Sequence, residues 1–595
     1  MDMPPSGSSP FWPLCEEMSG SAPWTRLTQR ARREWDGLLH TRADRARIAE
    51  IPGLLSPTER AALIARLAGA QEVNRPGLVL PARLSERLTT WIELHPEWKA
   101  QIAAEAAGPL HDEIAAFARI YRIDDPSSWC RDPLRPRPWP LRPHARILLN
   151  NPRIPGDVRM QWEPARFHHA PALARYGLAC GDPAALEAFL RQTASFERGN
   201  PPFESIHWAV GMEVGIRAAA LVLALDWFGR FSALKEEDGG RLLHFLLLHG
   251  VFLASHPDRQ PGGSTTNHTV AAAAGLAMVG RCLDASATGE TWRQTAGRRL
   301  AECLHTQVLT GGAHAEGALP YERFVLEAGL VGFVCLDATE QEPLHEPLTK
   351  LARHLAEARL PDGLPFIGDG DDSYYPPFGL APFDERDSLD PETVLQAAEA
   401  VLGLQGLRRC SKTREAAFWL GAEARMDVVA TSEVAITEAA PAAGDAVSTG
   451  SPAPGWPRPC VGRSDLPGVR ASGRGFLCGQ AGAFEGKLIA RGAGEGWATT
   501  HAHNDLLSLV LTVDGAPLLI DPGTHGYAVD RPLRHLLRST SAHSTLQFEN
   551  QEQSLVLPHL LFHGPSTIPC GALVGAGPGL RLNAWHDGFR NERTG

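Results

Sequence analysis

The sequence predicts a chain of two parts, a helical domain followed by a β-rich domain. Three observations support this prediction. Between about 57 and 404, apolar residues recur with the helical period in roughly a dozen segments. Residues 431–460 are then rich in Ala, Pro, Gly, Ser and Thr, which is typical of a linker. Beyond 461 the apolar period changes to two, as in strands.

The helical pattern is clearest in four stretches, which short Gly, Pro and Asp sequences separate. These stretches are 206–228, 241–255, 269–283 and 321–336. Regular helix pairs of this length suit a toroid or a solenoid. The predicted organisation is an N-terminal extension (1–55), a helical domain (56–430), the linker (431–460) and a β domain (461–595).

The β domain contains one clear hairpin. One face of the first strand is formed by Leu507, Leu509, Leu511 and Val513, and the other by Leu506, Ser508, Val510 and Thr512. Asp514-Gly515 then offers a tight turn, and 517–520 returns as a strand. A strict two-residue hairpin would pair Ser508 with Asp521, well short of His503. Bringing Asp521 to His503 therefore requires a bulge, a sharp bend or a different pairing.

Composition restricts the function. The 595 residues are 43% hydrophobic and 21% charged, as in ordinary soluble globular proteins. A net charge of -11 gives no sign of nucleic-acid binding, and attraction of a polyanion would need a local basic cleft. The ten cysteines form no Cys-x-x-Cys pair, which disfavours a thiolate zinc site.

The sequence shows neither a secretory leader nor a membrane segment. Its first twenty residues contain no basic start followed by an apolar run. The richest apolar stretch, 218–225, stops at Asp226 and is too short to span a bilayer. We therefore expect no membrane insertion, and a cytoplasmic location if this N-terminus is native.

A histidine-rich motif offers a metal site. His501 and His503 precede the hairpin, and Asp521 and His543 follow it. Neutral imidazole and carboxylate are ligands that zinc accepts, so three of these groups could bind a divalent ion and leave one imidazole for chemistry. In an extended segment His501 and His503 point to the same side.

Two helix starts carry candidate catalytic groups. Asn267 and His268 open a helix after a Gly-Gly-Ser-Thr-Thr loop, and the positive end of a helix favours a nearby anion. Tyr321 follows Pro320 at another helix start. The structural alternatives are that Asn267 is only a helix cap, that His268 is a packing residue and that Tyr321 is a core residue.

Three further residues could bind a sugar polymer. Arg534 and Arg538 could hold sulfate or carboxylate groups through forked hydrogen bonds, although a solvated basic face is an equal alternative. Trp208 could stack on a sugar ring, although a tryptophan on a helix face more often lies in the core.

Taken in order, motifs along the chain resemble the heparinase II/III family of polysaccharide lyases. They are 151–153 with 162–166, 200–208 with Met212, Glu213 and Arg217, 266–268, Glu316 with Tyr321, 361–372, and the segments from 501 to 587. The resemblance implies an (α/α) toroid joined to an antiparallel β-sandwich. It also implies cleavage of a uronic-acid polysaccharide by β-elimination, in the periplasm or cell envelope.

The resemblance assigns roles to individual residues. Asn267 would donate to the substrate carboxylate, and His268 would assist it or act as a base. Tyr321 would serve as base, acid or both, while His501 would face the substrate. A divalent metal, zinc, would be held in a structural role by three residues. These are His503, Asp521 and His543.

The sequence departs from the family pattern in two places. The family usually carries an acidic residue one turn after the Asn-His pair, whereas this chain has the run Ala271–Ala274. The phrase at 585–589 lies mid-domain in the family but close to the end of this chain, which predicts a truncated β domain. Both departures put the substrate and the activity in question.

Two other functions fit parts of the sequence. The Gly-Asp-rich run at 368–372 could supply paired carboxylates to a glycoside hydrolase, although it is most simply a turn. A degenerate toroid could also bind an acidic exopolysaccharide without turnover. For a lyase, heparan-type glycosaminoglycan, alginate and bacterial exopolysaccharide are all compatible substrates.

Overall fold

The structure is a computed structural model. It describes residues 23–68, 96–116, 119–131, 138–147, 149, 157–231, 234–259, 263–284, 286–360, 363–370, 374–375, 390–409, 469–472, 476–481, 484–489, 501–525, 531–553, 555–556, 562–563, 570–575 and 580–585. Some predictions lie outside these residues. They are the linker at 431–460, the motif at 151–153, and those parts of the later motifs that fall at 361–362, Asp371, Asp372 and Asp587.

Most of the described residues are helical. The helices are α1 Pro23–Glu50, α2 Pro57–Ala68, α3 Pro96–Ala107, α4 Arg159–Ala165, α5 His169–Cys180, α6 Ala184–Gly199, α7 Gly211–Phe231, α8 Glu236–Ser255, α9 Asn267–Cys282, α10 Ala287–Gln307, α11 Leu319–Val334, α12 Ala338–Ala358, α13 Glu392–Leu402 and α14 Arg531–Arg538. The four stretches predicted from periodicity are confirmed as α7, α8, α9 and α11. The largest differences are at α7, where 206–208 forms a separate 3-10 turn, and at α8, which begins earlier than predicted.

The helices pack in two layers. Alternate helices α5, α7, α9 and α11 lie side by side in one layer, and α10 and α12 contact each other in the second. Each helix from α7 to α12 also packs against the next one along the chain. The N-terminal ends of α7, α9 and α11 therefore come together at one end of the first layer.

Helix α9 is buried because its residues are small. Ala271–Ala274 are at most 2% exposed. A methyl group placed on Gly275 would lie 2.4 Å from the Cα atom of Gly215 in α7, so the two backbones approach too closely for larger side chains. A carboxylate has no room on this face of α9, which is the physical reason for the alanine run.

The β-rich part contains one antiparallel sheet of five strands among the described residues. Its order follows the chain, with β3 Val469–Ser472, β4 Phe476–Ala481, β5 Phe484–Ile489, β6 Leu509–Val513 and β7 Ala516–Leu519. Three separate strand pairs are also described. They are β1 Glu113–Ala116 with β2 Arg119–Arg122, β8 Leu555–Val556 with β9 Phe562–His563, and β10 Cys570–Gly575 with β11 Leu580–Trp585.

The predicted hairpin is present, and it contains a bulge. Strands β6 and β7 pair at Val513 and Ala516, and their register shifts between Leu511 and Thr512. A turn precedes β6, where the backbone N–H of Ser508 donates to the carbonyl of Asp505 and Leu507 has a positive φ of 57°. Leu519 pairs with Leu511, one residue farther from His503 than in a strict hairpin, so the turn before β6, and not the bulge, brings His503 toward Asp521.

A segment from the helical part runs along the β-rich part. The backbone N–H of Asp369 donates to the carbonyl of His501 over 2.8 Å. Gly368 has a φ of +77°, and a methyl group there would lie 2.8 Å from the same carbonyl. The contact therefore depends on a glycine. In the part of the chain described here, no helix is both long enough and apolar enough to cross a membrane.

Candidate functional site

A buried carboxylate, Asp369, joins the two parts of the chain. It is fully buried and accepts hydrogen bonds from both terminal nitrogens of Arg534, at 3.0 and 2.7 Å. It also accepts from His501 Nδ1 at 3.2 Å, His503 Nε2 at 2.9 Å and Thr524 Oγ1 at 3.0 Å. Burial alone would raise the pKa of Asp369, but the charge of Arg534 and these donors hold the pKa well below its ordinary value.

These bonds fix the orientation of the two histidines. Both rings point toward Asp369, so they lie on the same side of the segment. A carboxylate accepts and cannot donate, so the proton lies on His501 Nδ1 and on His503 Nε2. In the neutral rings His501 Nε2 and His503 Nδ1 are then the nitrogens that can accept a proton or bind a metal.

The three residues predicted to bind a metal come together. One ligand atom each from His503, Asp521 and His543 lies within 4.8 Å of the other two, and all three residues are buried. His543 Nδ1 is 3.1 Å from Asp521 Oδ2. His503 Nδ1 is buried with no hydrogen-bond partner among the described residues. A buried imidazole nitrogen beside a carboxylate and a second imidazole fits a divalent ion such as zinc.

Asn267 is fixed by Glu316. The cap of α9 is Thr266, and Asn267 is the first residue of the helix. Glu316 accepts from the Asn267 backbone N–H at 2.9 Å and from its side-chain amide nitrogen. The amide nitrogen must face Glu316 because a carboxylate only accepts. Asn267 is thus more than a cap, since its side chain has a defined orientation.

Tyr321 and His501 are in contact. Their ring centroids lie 4.1 Å apart, with planes tilted by 32°. Tyr321 is near the start of α11 and 7% exposed. His501 Nε2 lies 3.8 Å from Glu316 Oε2, so the Asn267–Glu316 pair is adjacent to this contact. The phenol, the imidazole and the amide therefore converge from separate parts of the chain.

His268 has a carboxylate partner from another loop. Its Nδ1 lies 3.3 Å from Asp258 Oδ2. The same carboxylate oxygen accepts from the backbone N–H of Met212 at 3.1 Å, at the start of α7. Burial alone would lower the pKa of His268, but Asp258, with Glu316 and Glu213, raises it. Asp258 thus supplies His268 with a carboxylate partner that the run Ala271–Ala274 does not offer.

The three residues predicted to bind substrate are all buried. Trp208 is 0% exposed, and its ring packs against Phe203 and His249 with centroids 5.1 and 5.0 Å away. It therefore offers no face to a sugar. Arg534 is 3% exposed and directs both terminal nitrogens at Asp369, and Arg538 is 1% exposed. None of the three presents its polar or ring face to solvent in the structure, and their substrate roles stay predictions.

The sequence reasoning missed two residues and gave no role to a third. Asp369 lay in a run interpreted as a turn, and Asp258 lay in a loop without a motif. Glu316 was recognised only as part of a family motif. The repeated Gly-Asp pattern could have indicated Asp369, whereas no signal near Asp258 links it to His268.

Two family models match the chain, and together they cover more than half of it. The model described as heparinase II/III N-terminus matches residues 111–340. The model described as heparinase II/III-like, C-terminal, matches residues 485–594. The comparison with curated proteins found no match.

Solved structures also match this chain, at low sequence identity. The heparan sulfate lyase HepC from Pedobacter heparinus is 17% identical, with a TM-score of 0.45 over 82% of this chain and 64% of that chain. A heparinase III is 15% identical, with a TM-score of 0.48 over 87% of this chain and 75% of that chain. The chain thus spans slightly less than two thirds of the length of HepC. On the two family models, the chain belongs to the heparinase II/III-like family.

Proposed function

We propose that this chain is a polysaccharide lyase that cleaves a uronic-acid polymer by β-elimination. The observation that carries the proposal is the contact of Tyr321 with His501, at 4.1 Å between ring centroids, beside the oriented amide of Asn267. In β-elimination a base removes the C5 proton, a C4–C5 double bond forms, and the C4–oxygen bond breaks as an acid protonates the leaving oxygen. A phenol, an imidazole and an amide supply the groups that these steps need.

Asn267 and His268 are proposed to bind the substrate carboxylate. The C5 proton is only weakly acidic while that carboxylate is fully charged, so hydrogen bonds to it must strengthen as the enolate forms. The amide nitrogen of Asn267 has a second hydrogen besides the one facing Glu316. The carboxylates around His268 raise its pKa, which favours the imidazolium form. An imidazolium neutralises the carboxylate and cannot act as a base.

His501 and Tyr321 are proposed to move the protons. Because His501 Nδ1 donates to Asp369, Nε2 is the nitrogen able to take the C5 proton. A phenol has an O–H that it can donate, so Tyr321 suits protonation of the leaving oxygen. After turnover His501 gives up the proton that it took and Tyr321 regains the one that it donated, by exchange with solvent once the products have left.

Local electrostatics support an anionic substrate despite the net charge of -11. The N-terminal ends of α7, α9 and α11 meet at the site, and helix N-termini carry partial positive charge. We infer that these helix ends, together with His268, provide the attraction that the overall charge opposes.

The metal proposed for His503, Asp521 and His543 is zinc, and its role is structural. When bound, zinc would cross-link the chain segments that carry these ligands. His503 Nε2–H donates to Asp369, which leaves Nδ1 for the metal. A residue of the helical part thus orients a proposed metal ligand, as is common around bound metals.

The wider architecture is part of the proposal. The two-layered helices support an (α/α) toroid with bounds near 56–430, followed by a β domain near 461–595. The five-stranded sheet is a candidate for one layer of a sandwich. An acidic polysaccharide is the proposed partner, and the cell-envelope location rests on the family resemblance alone.

The hydrolase alternative is weaker. It needs a carboxylic acid that carries a proton near neutral pH. The pKa of Asp369 lies well below its ordinary value because Arg534 and two histidines bond to it, so Asp369 stays ionised.

A product assay tests the proposal. The purified chain is incubated with heparan sulfate, alginate and a panel of bacterial exopolysaccharides rich in uronic acid. A lyase forms a C4–C5 double bond that absorbs in the ultraviolet, whereas a hydrolase forms new reducing ends without that absorbance. Reducing ends alone would reject the lyase, and binding without either signal would favour the non-catalytic alternative.

A further inference from the structure

A second group of potential metal ligands lies outside the site described above. Asp44 comes from α1, His144 from a 3-10 turn at His144–Arg146, and His256 from the C-terminal end of α8. One ligand atom of each lies within 4.8 Å of the other two. Asp44 and His144 are buried, and the side chain of His256 is 18% exposed.

The protonation of His256 is set by the backbone. Its Nδ1 lies 3.1 Å from the carbonyl oxygen of Phe252, which can only accept a hydrogen bond. Nδ1 therefore carries a proton, and in the neutral ring Nε2 carries a lone pair. That lone pair faces Asp44 Oδ1 at 3.2 Å. Two acceptors at this distance repel each other unless a cation or a second proton lies between them.

His144 completes the arrangement. Its Nε2 lies 2.9 Å from the other oxygen of Asp44, and its ring is nearly perpendicular to that of His256, with centroids 4.8 Å apart. Burial lowers the pKa of His144, with Asp44 partly opposing this, so the ring tends to be neutral, the form that binds metals. In a tetrahedral zinc shell with bonds of about 2.0–2.1 Å, ligand atoms lie roughly 3.3 Å apart. The two histidine–Asp44 distances, 2.9 and 3.2 Å to different carboxylate oxygens, are close to this spacing.

One neighbouring charge opposes a bound cation. Arg47 Nη1 donates to Asp44 Oδ1 over 3.0 Å, the same oxygen that faces His256. The side chain of Arg47 is 28% exposed, so it can move toward solvent when a cation takes its place.

We propose that Asp44, His144 and His256 form a second zinc site, separate from the one at His503. The ion replaces the proton that His144 shares with Asp44 and takes the lone pair of His256 Nε2. A backbone carbonyl that fixes the distal nitrogen of a metal-bound histidine is a recurring arrangement. The site would bind α1 to the loop that carries Asp258, two residues after His256.

Zinc stoichiometry tests this proposal independently of any lyase activity. The full chain is stripped with a chelator, titrated with zinc in a calorimeter and analysed for bound metal. We expect His256→Gln to bind one zinc fewer per chain than the wild type. Loss of groups outside the ligand shell already weakens metal binding by about 10–100-fold, so loss of a ligand should weaken it at least about tenfold. His40→Gln is the matched control, because His40 lies near His144 outside the ligand set.

Arg47→Ala provides a second measurement that keeps all three ligands. Removal of the competing guanidinium should tighten zinc binding at this site. Equal zinc content in the wild type and His256→Gln would overturn the proposal, as would zinc affinity that is unchanged or weaker in Arg47→Ala. In those cases a proton, and not a metal, lies between His256 and Asp44.

Discussion

Asp369 and Arg534 form a buried, bidentate ion pair between the helical part and the β-rich part of the chain. Their N–O distances are 3.0 and 2.7 Å, and the two residues are 165 positions apart in sequence. Asp369 also accepts hydrogen bonds from His501, which contacts Tyr321, and from His503, which lies in the proposed metal site. One carboxylate thus orients both histidines and connects them to the helical part.

Replacement of Asp369 should therefore affect stability and activity together. Asp369→Asn leaves Arg534 buried without its counter-charge, which typically costs about 3–5 kcal/mol in unfolding free energy. The asparagine could also donate to His501 and disturb its proton arrangement. Urea denaturation and the ultraviolet assay measure the two effects. Glu346→Gln is the control, because Glu346 forms an exposed pair with Lys350 and we expect no measurable change. Wild-type stability of Asp369→Asn would contradict the connecting role.

The helix starts at Asn267 and Tyr321 and the histidine motif at His501 are local patterns, whereas their convergence was implied by the resemblance to the family. The hairpin spacing also required a bulge, a sharp bend or a different pairing for Asp521 to reach His503, and the structure has a turn at Leu507 before β6. The helix starts, the histidine motif and the hairpin could be predicted because each is a pattern within one segment of the chain.

The contacts that support the site could not be predicted in the same way. Asp369 meets His501 and Arg534 from more than a hundred residues away, and no local period records such a pairing. The burial of Trp208 depends on aromatic neighbours from other segments. Asp258 reaches His268 from a loop and also accepts from the N–H of Met212 at the start of α7, contacts that no local pattern records.

Tyr321→Phe separates a lyase from a binding protein. The substitution removes the hydroxyl and keeps the ring that packs on His501, so folding and polymer binding should be retained. Loss of general acid–base catalysis typically reduces turnover by about 10²–10⁴-fold. Rates by ultraviolet absorbance and affinity by calorimetry test this. Tyr375→Phe is the control, because that hydroxyl donates to a backbone carbonyl in the core. Unchanged turnover in Tyr321→Phe would remove Tyr321 from the mechanism.

Asp258→Asn should shift the pH profile of the reaction. The carboxylate raises the pKa of His268, and the proposed active form is the imidazolium, so activity falls as pH rises through that pKa. Without the charge the pKa falls, and the loss of activity moves to lower pH. Asparagine retains an oxygen that can accept from the Met212 N–H and tolerates the positive φ of 55° at this position. If Asp258 had a purely structural role, Asp258→Asn would lower the stability of the protein and leave the pH of half-maximal kcat/KM unchanged.

Removal of the proposed metal should lower stability more than rate. A chelator, or His543→Gln, should reduce bound zinc and the melting temperature because three buried ligands lose their shared ion. The rate per folded molecule should be retained if the ion is structural. His525→Gln is the control, since His525 is exposed in the same part of the chain. A lower rate per folded molecule would mean that the ion also controls His501 through Asp369.

His207 should make the protein sensitive to acid. It is fully buried, and its Nε2–H donates to the carbonyl of Trp129 over 2.8 Å. Burial, together with the nearby charge of Arg217, lowers the pKa of His207 to about 3. The unfolded chain, with an ordinary histidine pKa near 6.5, binds more protons than the folded chain between these values. The stability from the neutral ring is therefore present above pH 6.5 and is lost as pH falls toward 3.

His207→Gln tests this linkage, because glutamine can donate to the same carbonyl and does not titrate. The free energy of unfolding should depend less steeply on pH in this window, by up to about 1.4 kcal/mol per pH unit. Urea denaturation at pH 7 and pH 5 measures the change in slope. His305→Gln, at the end of α10, serves as the control and should keep the wild-type slope. An equal slope in His207→Gln would show that this imidazole is not the group whose protonation opposes folding.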